Sequence, residues 1–272
     1  MSEKELPRFG LVIVGDEILS GKRQDKHLAK VIEILGARGL RLSWAEYAGD
    51  DRAALTERYR RSFASGDVVF SCGGIGSTPD DHTRQAAAAA LGLPLALHPQ
   101  AAAMIAERSA ELARQGKGSA DMNEAENRQR LKMAEFPLGA QLIPNPYNRI
   151  AGFSIERHWF VPGFPVMAWP MIEWVLETHY RAFFHTQPRV EKSLLVFETA
   201  ESRIAPIMES VESRWPVAAF SLPSVGDGRD GRPARRHIEL GVKGDPAAVA
   251  EAFAFLERSV AELGAETAPC EG

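Results

Sequence analysis

The stretch Asp67–Gln85, DVVFSCGGIGSTPDDHTRQ, carries the decision about the fold. DVVFSC is a short apolar run of the kind found in strands covered on both faces, and Thr83 opens an alanine-rich helix that runs to Leu91. Between them Gly73, Gly74 and Gly76 stand with Ser77 and Thr78. A glycine-rich turn from strand to helix leaves backbone N–H groups unpaired beside the positive end of the helix dipole, which favours a phosphate or another oxyanion. Thr78 and Thr83 add hydroxyl donors. Yet Asp80 and Asp81 follow at once, in a loop otherwise shaped for negative charge.

Upstream, FGLVIV at Phe9–Val14 is a first buried strand. Asp25–Arg38 sets Leu28, Val31, Ile32 and Leu35 at helical spacing, and Gly39 supplies a stop. A strand near Leu40–Tyr47 follows, then a helix over Arg52–Phe63 behind a cap at Asp50 or Asp51. The order β-α-β-α-β predicts mostly parallel strands joined by right-handed crossovers, with helices on both faces. Downstream, helices are expected over 83–91, 99–115 and 122–134, short strands around 140–143 and 152–161, and a closing helix after Phe164.

The apolar pattern loosens around THYRAFFHTQPRVEKS, so a boundary is placed near residue 187, giving an α/β domain over 1–187 and a small α+β domain over 188–272. In the second, SLLVFET, Ala200–Arg214, VAAFSL, RHIELGV and Pro246–Leu263 read as β-α-β-β-α. The hairpin GDGRDGRPARRHI contains Gly228-Arg-Asp-Gly231, the GxxG of RNA-binding KH domains. Those domains carry that loop between helices and this one joins strands, so a solvated hairpin is expected.

A net charge of -4 gives no general attraction to nucleic acid or anionic membrane. The polar start MSEKELPRFG has no apolar signal core, which points to the cytoplasm. The richest apolar run, His158–Leu176, is broken by Pro162, Pro165, Pro170 and Glu173 and does not read as a membrane span. Its Met167, Trp169, Met171 and Trp174 suit a core, or the interface of a homo-oligomer. Cys72 and Cys270 suggest neither a disulfide nor a zinc site.

In an open parallel sheet, ligands bind beyond the carboxyl ends of the strands. GDEILSG, GGIGSTPDDHT and VPGFP fall there. The dinucleotide fingerprint fails because Pro79 stands where its last glycine belongs, and a Walker loop fails because Lys22 is followed by Arg23. Asp16, Glu17, Asp50, Asp51, Asp80 and Asp81 all lie at or near strand ends. Two like charges about 4 Å apart repel by roughly 4 kcal/mol at an effective dielectric near 20, enough to oppose phosphate binding unless a cation such as Mg²⁺ intervenes. Asp81 and Asp16 are the favoured cation ligands; Asp80 reads as a solvent-facing or capping residue.

The loop Gly73–Thr83 resembles the GGxGxTxxDxT signature of the molybdopterin-binding MoaB/MogA-like domain. GDEILSGK, the GD at Gly49–Asp50, LIPNP at Leu142–Pro146, AGF at Ala151–Phe153 and VPGFPVM at Val161–Met167 make the first domain similar to the N-terminal domain of competence/damage-inducible protein A (CinA). The second resembles the KH-like domain that follows it there. His27 stands where CinA commonly has asparagine, and Val166 where it commonly has an acidic residue. CinA proteins often continue into a nicotinamide-nucleotide deamidase domain, and that activity is not expected here.

The resemblance implies two functions: divalent-metal-dependent hydrolysis of a pyrophosphate such as ADP-ribose or FAD, or binding and adenylylation of molybdopterin. A non-catalytic nucleotide- or pterin-binding role is a third. In the hydrolase reading the N–H groups of Gly74 to Thr78, Gly76 and Ser77 among them, take the phosphates, with Gly73, Thr83 and Asp50 beside them. Mg²⁺ or another divalent cation, with K⁺ as a further candidate, sits on Asp81 and Asp16. Glu17, catalytic together with Asp81, orients or deprotonates the water. Asn145, Pro162 and Gly163 line the pocket for the base or ring.

Overall fold

A computed structural model describes residues 6–226 and 235–270. The chain divides into two units, 1–184 and 185–272.

In the first unit, β1 (Phe9–Val14) pairs in parallel with β2 (Leu42–Ala48) and with β3 (Val68–Cys72), and β3 pairs in parallel with β8 (His158–Val161). The strands β7 (Gly152–Ile155) and β6 (Gln141–Ile143) extend the sheet antiparallel, giving the order β2-β1-β3-β8-β7-β6. Every residue of β1 and β3 is buried, because both faces are covered. Phe9, Leu11 and Ile13 pack on one side against Val31 and Leu35 of α2 (His27–Gly36) and Ile172 of α7 (Pro165–Val175). Val12 and Val14 point the other way, into a cluster with Leu55 and Tyr59 of α3 (Arg52–Ser65), Ala86 and Ala87 of α4 (Thr83–Leu91) and Ile105 of α5 (Pro99–Arg114). One alternating run thus supplies both cores.

Asp51 caps α3, its carboxylate accepting the Ala54 N–H at 2.7 Å. A short helix α1 (Asp16–Leu19) follows β1 without having been expected. The strand expected over 152–161 is instead a hairpin, β7 and β8, turning at Glu156 with φ 53°. The helix expected over 122–134 is shorter, α6 (Ala125–Leu131) followed by a 3-10 turn. A ribbon of β4 (Leu95–Leu97) and β5 (Glu135–Pro137) was not anticipated. Met171 is wholly buried, whereas Trp174 is 36% exposed. Buried His158 shares a 2.8 Å hydrogen bond with Ser62 Oγ, and burial pulls its imidazole down to about 3.

In the second unit, β9 (Val190–Phe197), α8 (Glu201–Arg214), β10 (Val217–Ser224), β11 (His237–Gly244), α9 (Pro246–Glu262) and β12 (Thr267–Pro269) build an antiparallel sheet of order β10-β11-β9-β12. Leu194, Val196, Leu240 and Val242 pack against Ile204, Val249 and Leu256 of its helices. The β-α-β-β-α order is present with β12 added at an edge. Gly228, Arg229, Gly231 and Arg232 of the expected hairpin lie outside the described residues. No helix among the described residues is long and apolar enough to cross a membrane.

Candidate ligand cavity at the strand ends

The loops after β1, β2, β3 and β8 meet at the carboxyl edge of the sheet around a cavity of about 560 Å³. Glu17, Asp50, Gly73, Gly74, Gly76, Ser77, Thr78, Asp81, Asn145, Pro162 and Gly163, the residues singled out from sequence, all line it. Asp16 and Thr83 do not.

The glycine loop is held mainly by its own side chain. Asp81 Oδ1 accepts the Gly76 N–H at 2.9 Å, while Oδ2 accepts the Thr78 N–H at 2.8 Å and the Thr78 hydroxyl at 2.5 Å. A Cβ on Gly76 would lie 2.6 Å from Asp81 Oδ2, so glycine leaves room for this inward fold. The Ile75 and Ser77 N–H groups make no hydrogen bond among the described residues, and these remain for a ligand. Arg84 Nη2 donates to the Gly76 carbonyl at 2.6 Å, and Gln129 Nε2 donates to the Ser77 carbonyl.

Thr83 is corrected from ligand donor to anchor. It is fully buried, its hydroxyl donates to the Gly73 carbonyl at 3.0 Å and its N–H donates to the Gly74 carbonyl at 3.0 Å. Asp16 is corrected likewise. Its N–H donates to Asp50 Oδ2 at 2.9 Å and its Oδ1 accepts the Asp50 N–H at 3.3 Å, a reciprocal lock between the loops after β1 and β2. Asp80, read as solvent-facing, is exposed at the cavity rim, where hydrogen bonding to Thr78 holds its carboxyl below the usual range. Asp50 is pushed the other way, first by burial and then by the neighbouring charges of Asp16, Glu17 and Asp80, with the Asp16 N–H opposing.

Asn145 borders the cavity but is 3% exposed and organises its own turn, donating to Asn148 Oδ1 at 2.9 Å and to the Ile150 carbonyl at 3.0 Å. His27 shares a 2.9 Å hydrogen bond between Nε2 and the Gly163 carbonyl. Part of the lining is apolar. Met133, Ile150, Phe164 and Met167 line the same cavity as the loop, and Phe164 is 55% exposed. Arg23 adds a cationic side chain to the lining. Sequence reading passed over Arg23, Met133, Ile150 and Phe164; only Phe164, inside the VPGFP match, carried a signal that marked it for the site.

As folded, these carboxylates do not fit a resident metal. Among the described residues no group of three or more His, Cys, Asp or Glu is placed to hold one, both Asp81 oxygens are engaged by the loop, and Asp16 is turned into its lock.

The family model described as "Probable molybdopterin binding domain" matches residues 10–182. A CinA-like protein of Anaeromyxobacter sp. (strain Fw109-5) is 30% identical over 250 residues, which is 86% of this chain and 58% of that protein. A CinA-like protein of Escherichia coli (strain SMS-3-5 / SECEC) is 30% identical over 207 residues, 74% of this chain and 49% of that protein. This chain therefore spans little more than half the length of the Anaeromyxobacter relative. The crystal structure of CinA from Thermoplasma acidophilum, described as of unknown function, is 25% identical with a TM-score of 0.53, over 62% of this chain and 97% of that one. With the family match running through both the glycine loop and the VPGFP loop, the chain belongs to the molybdopterin-binding-domain family as a CinA-like member.

Proposed function

We propose that the cavity binds a phosphate-bearing pterin or nucleotide and that the protein hydrolyses a phosphoanhydride of the ADP-ribose or FAD type. The observation that carries this reading is the mixed lining: unused Ile75 and Ser77 N–H groups together with the apolar side chains of Met133, Ile150, Phe164 and Met167. A phosphate suits the N–H groups and a flat heteroaromatic ring the apolar side chains. Glu17 faces the same space and is the base that would orient a water and take its proton. The water oxygen forms a bond to one phosphorus, the anhydride P–O bond breaks, and the two phosphates separate as monoesters. A resident metal does not fit, so no step here runs through one.

The family's description favours molybdopterin as the competing ligand. One experiment addresses both readings: purified protein and Glu17→Gln are incubated with ADP-ribose, FAD and NAD, with EDTA or with Mg²⁺ or Co²⁺ and K⁺, and molybdopterin binding is titrated in parallel. Turnover that Glu17→Gln abolishes supports the hydrolase. No turnover of any of the three sinks it, and tight molybdopterin binding then assigns the site to its rival.

A further inference from the structure

We infer that Arg84 and Gln129 are positioning residues that fix two successive peptides of the glycine loop, Arg84 turning the Ser77 N–H into the cavity and Gln129 holding the Thr78 N–H on Asp81. The inference rests on the phosphate-binding reading above. Arg84 sits in the first turn of α4 and is only 2% exposed, with its Nε and Nη1 lacking partners among the described residues. Its Nη2 holds the Gly76 carbonyl at 2.6 Å, and Gln129 of α6 holds the next carbonyl, that of Ser77. In a trans peptide the C=O and the following N–H point to opposite sides. Drawing the Gly76 oxygen toward Arg84, which does not line the cavity, turns the N–H of Ser77, which does, the other way. Drawing the Ser77 oxygen toward Gln129 turns the Thr78 N–H toward Asp81, where it is bonded.

Packing alone does not explain Arg84. A buried guanidinium with unpaired nitrogens is expensive, and an apolar chain of similar length serves stability as well or better. What methionine or leucine would lack is a donor to fix the Gly76 peptide and a positive charge close beneath the bound anion. Burial pulls the guanidinium below its ordinary range, and the charges of Asp81 and Glu135 oppose that pull. Two independent elements, α4 and α6, thus fix two successive peptides of the loop.

The test compares Arg84→Met, Arg84→Lys and Gln129→Ala with wild type by calorimetric titration of ADP-ribose and of inorganic pyrophosphate, alongside thermal unfolding. Arg84→Met is expected to keep or raise the melting temperature while both ligands bind about tenfold or more weakly. Arg84→Lys restores part of the affinity, because charge and one donor return, and Gln129→Ala weakens binding severalfold in a folded protein. Wild-type affinity in a folded Arg84→Met overturns the inference; should that variant fail to fold, wild-type affinity in Gln129→Ala overturns it. A wild-type protein that binds neither ligand rejects the phosphate reading itself, and this inference with it.

Discussion

Replacing Asp81 by alanine separates two accounts of the same carboxylate. In the structure it accepts three hydrogen bonds, from the Gly76 and Thr78 N–H groups and the Thr78 hydroxyl. A net contribution of ~1 kcal/mol for each gives about 3 kcal/mol of loop order, with about 1 kcal/mol as the lower bound for so accessible a loop. If only the ordered loop binds phosphate, the dissociation constant rises by at most the same factor, between about fivefold and about 150-fold, and by less the more firmly the rest of the loop holds its order. The assay is calorimetric titration of ADP-ribose into wild type and Asp81→Ala, once in EDTA and once in Mg²⁺, with amide exchange followed at Gly76 and Thr78. The weakening is expected to be equal in both buffers, and both amides to exchange faster. Weakening confined to Mg²⁺ would refute the reasoning and return Asp81 to cation binding, whereas no weakening in either buffer would mean that loop order does not limit affinity.

Other substitutions probe separate parts of the argument. Gly73 has φ 108° and a Cβ there would overlap the Val14 carbonyl oxygen, so Gly73→Ala should destabilise the protein by about 1–3 kcal/mol, seen as a fall in melting temperature. Phe164→Ala should weaken ADP-ribose by about 1–3 kcal/mol if the ring stacks a base, and should leave inorganic pyrophosphate unchanged in calorimetric titration. His158, held near 3 by burial against an ordinary 6.5, stays neutral in the folded chain while the unfolded chain takes up a proton. Stability is therefore fully present above pH 6.5 and falls by about 1.4 kcal/mol per pH unit as pH drops toward 3. Denaturant melts of wild type and His158→Gln across that range should diverge in slope by this amount.

The sheet centre was legible because β1 and β3 are apolar at every turn of the pleat, and a strand buried on both faces leaves that trace. The β7–β8 hairpin was hidden because its turn uses Glu156 at positive φ where glycine or asparagine would have marked it. LAL and EFP are too short to stand out between helices. For the site, strand order alone brought the right loops to one edge. What no pattern revealed is which acceptor each backbone N–H chooses. Asp16 and Asp50 find each other across 34 residues, and Asp81 turns back into its own loop rather than outward. Arg84, a charged residue in an alanine-rich helix, is among the most buried of the described side chains, and nothing in the pattern marks it.

The cavity draws its walls from Gly15, Asp50, Gly73, Met133, Asn145 and Pro162, points scattered through most of the first unit's sequence. No short fragment contains it, and closing such distant segments is among the later events of folding. Any molecule that fits therefore recognises the native state alone and stabilises it by mass action, by about 2.7 kcal/mol when present at 100 times its dissociation constant, which raises the melting temperature. Melting temperature thus becomes a detector that needs no assumption about chemistry: a library of phosphorylated pterins and nucleotides, scanned by heat, would rank the natural occupant before any turnover is sought.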